Sequence, residues 1–482
     1  MPQFTNWLLP RVLLAIIVAC ALSGCSDDKT PLKKFPPVSI PPDYEPESPR
    51  VTDCYEAGGD CRTLLDCSVS SSACTERSVA FDFEGCMAAE ERDKCENFAK
   101  RFRSVTLISD SGNYISAPFT QMNYQVELLD DSLKAPWDLE ILPDASMLIS
   151  QRGGTVVHRL ASGESRTVLE LEVIDTGEAG LMGLAVDPDF ADNGFVYLIY
   201  SYKLDDSDPS FINPKDATTQ RLLNKLSRWR LDGDALVDEF VLLDRLPGSI
   251  LHTGSRLEFG PDGKLYATTG DAHNAGLTQD IDFLGGKILR LNPDGSIPAD
   301  NPVKGSYVYA LAHRNLQGLA WHPETGQLYT SEHGPQRFDE INRVAPGQNS
   351  GWGVFKCDER MSRREASGPT EPPLVCFKVW TMGPSGMQFV ADPQSPWYGS
   401  LFVAALRGKH LHRYVFEGED AVVDEIFWVN TPQHQGGTVK RAQIDQRLRD
   451  VEYHDGSLYV IGDSHILARI TPLGARENRG SE

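Results

Sequence analysis

Residues 257–271 read LEFGPDGKLYATTGD. An apolar run enters a Gly-Pro-Asp-Gly turn and leaves as Leu265-Tyr266-Ala267-Thr268-Thr269, whose small and β-branched residues suit a buried strand better than a helix. Two such runs around a turn of this chemistry predict a hairpin. The same figure returns five times, at Leu139 (LEILPDASMLISQR), Leu184 (LAVDPDFADNGFVYLIYS), Leu319 (LAWHPETGQLYTSEHG), Met387 (MQFVADPQSPWYGSLFVAALR) and Val451 (VEYHDGSLYVIGD). The starts lie about 45 to 75 residues apart, room for four strands in each unit. Such sheets cannot hide their edges singly, but a closed ring solves the problem. The expected fold is therefore all-β, a six-bladed β-propeller over residues 124–475. A pair of β-sandwiches does not account for six equivalent hairpins.

With the six units in register, the residues just upstream of each start are mostly polar. They are Lys134-Ala135-Pro136, Glu178, His252, Arg314, Gly383-Pro384-Ser385, and Arg447 with Arg449. The second strands end in Arg152, Asp271, Glu332 and Arg407. Innermost strands of a propeller line its channel, so these positions gather at one mouth. Converging arginines call for an anion with several carboxylates or phosphates. His252 beside Asp271 has the makings of a general base held by a carboxylate. Residues 312–352 add His313-Arg314-Asn315 before one strand of a hairpin and Glu332-His333-Gly334-Pro335 after the other, with Asp339-Glu340 beyond. The oxygens of this turn suit a hard cation such as Ca²⁺.

The chain has 482 residues and a formal net charge of −22. Phosphate backbones need clustered Lys and Arg, so nucleic acid is excluded as a partner. A short apolar run from Trp7 to Gly24 is too interrupted for a comfortable membrane span and ends in Leu22-Ser23-Gly24-Cys25. That ending resembles the lipobox of bacterial lipoproteins. The resemblance implies a signal over residues 1–24 and an acylated Cys25, and Ser26 favours the outer membrane of a Gram-negative cell. Residues 25–53 are proline-rich and charged, which reads as an extended tether. Residues 54–103 hold Cys54, Cys61, Cys67, Cys74, Cys86 and Cys95, a module too small to fold without bridges. Its later part, residues 78–102, has room for a helix or two. With Cys357 and Cys376 the count beyond Cys25 is even, as expected of disulfides in an exported chain. A zinc site is less favoured, because paired C-x-x-C spacing is absent. We expect Cys357 to pair with Cys376.

Across residues 124–472 the motifs resemble the soluble glucose/sorbosone dehydrogenases that depend on pyrroloquinoline quinone (PQQ), including the bacterial aldose sugar dehydrogenases. The carriers are Pro136-Trp137, Gly177-Glu178-Ala179-Gly180-Leu181-Met182-Gly183, and His252-Thr253-Gly254-Ser255-Arg256-Leu257 with Gly260-Pro261-Asp262-Gly263. They continue through Gly270-Asp271, His313-Arg314-Asn315, Glu332-His333-Gly334-Pro335, Asp339-Glu340-Ile341-Asn342, Pro384-Ser385-Gly386 and Arg447-Leu448-Arg449-Asp450.

The resemblance implies oxidation of aldose sugars to lactones, with electrons passed to a periplasmic acceptor. It implies that Arg447, Arg449 and Arg407 (more often Lys in the family) hold the carboxylates of PQQ. Arg314 and Asn315 would face its quinone, and Glu178 would line the pocket. His252 would be the base, with Asp271 fixing its tautomer. The carbonyls of Gly334 and Pro335 would bind the catalytic Ca²⁺. A second calcium would use Glu340 and a backbone oxygen at Ser350, where relatives carry Tyr. Thr253, Ser255 and Leu316 also depart from the family pattern, and an insert over residues 356–380 borders the mouth. Two alternatives stand beside this reading, a propeller without catalysis that binds a glycan or protein and a hydrolytic propeller using the calcium. The set His252, Arg314, Arg447 and Arg449 favours the dehydrogenase.

Overall fold

The computed structural model describes residues 124–204, 222–378, 381–417, 420–427 and 447–472, together with seven short strands elsewhere. Six four-stranded antiparallel sheets form the six blades of a β-propeller. Their innermost strands are Pro136–Ile141, Leu181–Val186, Gly254–Phe259, Leu316–Trp321, Pro384–Phe389 and Leu448–His454. Each of these strands touches the next around the ring, and the sixth touches the first.

The six predicted starts all fall at the fourth residue of an inner strand, so the repeat is legible in register but three residues late. The cause is local. Every inner strand is bulged within its first four residues, where the pairing register shifts against the second strand. A bulge breaks the period-two alternation that marks a strand in sequence. Beyond it, alternation resumes and faces each blade with apolar side chains on both sides. Leu265 and Ala267 pack toward the second blade, while Tyr266 packs toward the fourth. Each of the six blade interfaces has its own apolar cluster, the first-to-second through Leu148, Val156 and Leu198 and the fifth-to-sixth through Phe402, Leu411 and Val460.

Two outer strands come from outside the repeat. The sixth blade is completed by Tyr124–Asp130, which pairs antiparallel with Leu467–Pro472 and closes the ring. In the fourth blade the outermost strand is Val375–Phe377, at the end of the supposed insert. The stretch read from the sequence as an insert thus supplies this blade's outermost strand, with Cys376 in register with Glu340. Cys357 and Cys376 are joined by a disulfide.

Under the mouth, the third residues of the inner strands meet around the axis. They are Asp138, Gly183, Arg256, Gly318, Gly386 and Asp450. The Arg256 guanidinium pairs with Asp138 and, at 2.9 Å, with Asp450, and it lies over the Trp137 ring. There is no room for a larger residue at 386, where a Cβ would stand 1.7 Å from Asp450 Oδ1. Asp138 and Asp450 also accept the Leu184 and Leu139 amides, tying the bulges to the ion triad.

In the N-terminal part, Val51–Asp53, Cys61–Cys67 and Cys74–Phe81 form a small sheet. The last of these takes up the first residues of the stretch expected to be helical. The first takes up the last three residues of the expected tether, because they pair with Cys74–Phe81; the signal, Cys25, the rest of the tether, the rest of that helical stretch and the pairing of the six cysteines lie outside the described residues.

Candidate active site

The first strand of the third blade begins behind a strained turn. His252, Ser255, Ala272 and His273 all have positive φ, a costly backbone conformation for such residues that is concentrated here. Gly270 allows the approach, since a Cβ there would meet the His252 carbonyl at 1.7 Å. The result places His252 Nδ1 2.8 Å from Asp271 Oδ1 and its Nε2 2.7 Å from Arg314 Nη2. A guanidinium only donates, so Nε2 is the acceptor and Nδ1 carries the proton toward Asp271. The Nε2 lone pair is therefore held by Arg314.

Asp271 is almost wholly buried and accepts three N–H groups. Besides His252 these are the His273 amide at 2.9 Å and Trp352 Nε1 at 2.8 Å. His273 stacks on His252 with ring centroids 4.3 Å apart. Neither Trp352 nor His273 is singled out by the sequence. Trp352 lies in the connection between the third and outermost strands of the fourth blade, outside the repeat register, and His273 lies two residues beyond the hairpin's end.

Glu178 accepts the His252 amide at 2.7 Å and Asn315 Nδ2 at 3.1 Å. Burial works against its charge, but His333 and His252, with these hydrogen bonds, outweigh that and hold the carboxyl below its ordinary range. Asn315 is buried beneath the pocket, with Oδ1 accepting the Gly254 amide and Gln317 Nε2, so its carboxamide is engaged on both sides. Arg314 donates from Nη1 to the His333 carbonyl at 2.8 Å and lies over Trp352. Burial lowers its pKa, against the pull of Asp271, Glu332 and Glu178.

Opposite stand the other arginines. Arg407 is exposed, and Arg447 is half-exposed with its Nε 2.9 Å from Asp463. Arg449 is buried, reaching Gln317 Oε1 at 3.2 Å while its Nε has no partner. Burial pushes its pKa down to about 10 even with Asp463 near. A buried guanidinium with an orphaned donor fits an anion, as does the unpartnered His333 Nε2.

The predicted metal ligands fall into two places. Gly334 and Pro335 follow the second strand of the fourth blade, and only glycine fits at 334, where a Cβ would lie 2.0 Å from the Phe338 carbonyl. The Pro335 carbonyl accepts the Arg337 amide, whereas among the described residues no N–H reaches that of Gly334. That free acceptor fits a cation. Glu340 and Ser350 lie deeper, linked through Asn342, Glu332 and His313. Burial, then the charge of Glu332, raises the Glu340 carboxyl to about 8, and the Cys357 amide donates to its Oε1 at 2.8 Å. Among the described residues no group of three or more His, Cys, Asp or Glu side chains is arranged to hold a metal.

Comparison with known proteins finds that the family described as glucose/sorbosone dehydrogenase matches residues 133–468. The chain belongs to the glucose/sorbosone dehydrogenase family. Within it, the chain is 32% identical to an aldose sugar dehydrogenase of Escherichia coli, over 77% of this chain and 98% of that one. A solved glucose dehydrogenase-like oxidoreductase of Thermus thermophilus is 35% identical, covers 72% of this chain and 100% of its own, and has a TM-score of 0.58. The PQQ-bound aldose sugar dehydrogenase of Streptomyces coelicolor is 28% identical over 73% of this chain and 98% of its own, with a TM-score of 0.58. Family members thus include sugar-oxidising enzymes, and the six inner strands, the dyad and the arginines described above all lie within the matched residues.

Proposed function

We propose that this protein oxidises aldose sugars at the anomeric carbon to lactones, with PQQ and calcium as cofactors, and delivers the electrons to a periplasmic acceptor. The observation that carries this reading is the His252–Asp271 pair at the mouth, across from the buried guanidinium of Arg449, whose Nε–H has no partner. Arg407, Arg447 and Arg449 would hold the cofactor's carboxylates. Arg314 and Asn315 would stand on its quinone side, and Glu178 would line the wall. The carbonyls of Gly334 and Pro335 would take the calcium, and a second ion would use Glu340 and the Ser350 backbone. When bound, the quinone supplies a two-electron acceptor for the hydride of the anomeric carbon, polarised by the metal.

This chain's own residues do the rest. His252 Nε2 takes the proton of the anomeric hydroxyl, and Asp271 stabilises the imidazolium that results. Arg314 leaves Nε2 as substrate enters and remains tethered through Nη1 to the His333 carbonyl. Trp352 closes the far side of Asp271 to water. For location, the lipobox-like ending at Cys25 supports a lipid anchor, with residues 25–50 as tether and a cysteine-rich module over residues 51–103 before the propeller.

The test is reconstitution. Protein mixed with PQQ and Ca²⁺ should show a cofactor spectrum that bleaches on adding an aldose, and it should reduce a dye only in that state. No spectral change across a wide panel of sugars would refute the dehydrogenase and leave a propeller that binds glycan or protein.

A further inference from the structure

The wall behind His252 is a loop over residues 270–286. It starts at Gly270 and Asp271, turns through Ala275–Leu277 and returns through Gly285 and Gly286 to the third strand of its blade. That strand opens with Lys287, whose side chain is completely buried. The ammonium donates to the Thr278 carbonyl at 2.8 Å and to the Gly285 carbonyl at 3.0 Å. Burial pushes its pKa down to about 7, which nearby Asp280 only partly offsets. Among the described residues both hydrogen bonds of this costly group go to main-chain oxygens of one loop, drawing its two limbs together as a bound cation would.

From the clamp, contacts run without a gap to the base. Gln279 Nε2 holds the Trp352 carbonyl at 2.9 Å, and the Thr278 hydroxyl, shared with the Ala275 carbonyl, reaches it at 3.1 Å. Gly353 lets the two segments close, since a Cβ there would meet the Ala275 carbonyl at 2.3 Å. The Trp352 indole then donates to Asp271 Oδ2, and Asp271 Oδ1 accepts His252 Nδ1.

We propose that Lys287 is a positioning residue for the reaction: it clamps the loop that holds Trp352, and Trp352 in turn fixes the carboxylate that aims His252. The proposal rests on the reading of His252 as base, but its first readout needs neither sugar nor cofactor.

A hydrogen-bonded Nδ1–H between His252 and Asp271 should give a low-field proton resonance, assigned by its loss in His252→Ala. In Lys287→Met that resonance should broaden or move. In the reconstituted enzyme kcat should fall about ten- to a hundred-fold with KM unchanged, as expected when a catalytic group is slightly misplaced. The double variant Thr278→Val, Gln279→Leu keeps the clamp but cuts its link to Trp352, and it should behave alike. A folded Lys287→Met with the resonance and kcat of the wild type overturns the proposal. So does a variant that only melts earlier while the resonance stays in place. Should Lys287→Met not fold, the double variant decides, and an unmoved resonance there overturns the proposal as well. Failure of the dehydrogenase reading would look different, with no aldose turned over by any variant, wild type included.

Discussion

Replacing Asp271 by Asn removes one charge from a carboxylate that accepts three donors. His252 Nδ1 and the His273 amide converge on Oδ1, and Trp352 Nε1 takes Oδ2. Asparagine has a single oxygen, and the side with two donors claims it. Its NH₂ then faces the Trp352 indole, donor against donor, which costs about 1–3 kcal/mol of stability for a buried N–H left unpaired. The larger effect is on turnover. An imidazolium formed during the reaction loses a charged hydrogen bond worth about 1.5–3 kcal/mol. At about 1.4 kcal/mol for each factor of ten, kcat should drop roughly ten- to two-hundred-fold. Asp271 touches none of the arginines on the opposite side of the mouth, so PQQ affinity should stay within about twofold. Dye-linked steady-state kinetics and absorbance titration of the cofactor measure the two quantities separately. A folded Asp271→Asn enzyme with wild-type kcat would refute the assignment of His252 and Asp271 as a working pair. Loss of cofactor affinity at unchanged kcat would move Asp271 into the binding set instead.

Substituting Arg447 and Arg449 together by Ala should weaken PQQ binding, each charged contact being worth about 1.5–3 kcal/mol, with calorimetry or spectral titration as the measure. Glu258, Glu140 and Glu452 occupy the fifth position of three inner strands, and burial raises all three carboxyls, Glu258 to about 8. A raised carboxyl favours its protonated form, so this contribution to stability is full below 4.5, the ordinary value, and is lost as pH climbs through about 8. Glu258→Gln should therefore raise Tm relative to wild type at pH 9 and leave it nearly unchanged at pH 4, which thermal scans at both pH values check. Cys25→Ala, expressed in a bacterial host, should release the protein from detergent extracts and remove fatty acid from its mass spectrum; an unacylated wild type would sink the lipid anchor.

The hairpins are legible because turn chemistry and alternation survive in all six, even where Met387 or Val451 starts a divergent copy. The bulges are not, since an extra residue destroys the period a reader relies on. For the same reason the ring of third positions stays hidden in the sequence. Arg256, Asp138 and Asp450 each look like a single misplaced charge until the propeller closes and brings them together. Tyr124–Asp130 has no repeat of its own to announce it. At the site, His252 and Asp271 stand out because the register puts them at equivalent strand ends. Trp352 and Lys287 act from between strands and from beneath a loop, and no period points there.

The strand Tyr124–Asp130 closes the sixth blade beside the C-terminal hairpin. A ribosome makes this clasp's two halves more than three hundred residues apart, so the ring stays open until nearly all of the propeller has been synthesised. Five blades have all four strands in one stretch and are free to form early, but the sixth waits for its last hairpin. The clasp also sets how load enters. Whatever pulls on the chain ahead of Tyr124 pulls on the outermost strand of one blade, at the circumference. The strands that line the channel and the turn that carries His252 feel that force last.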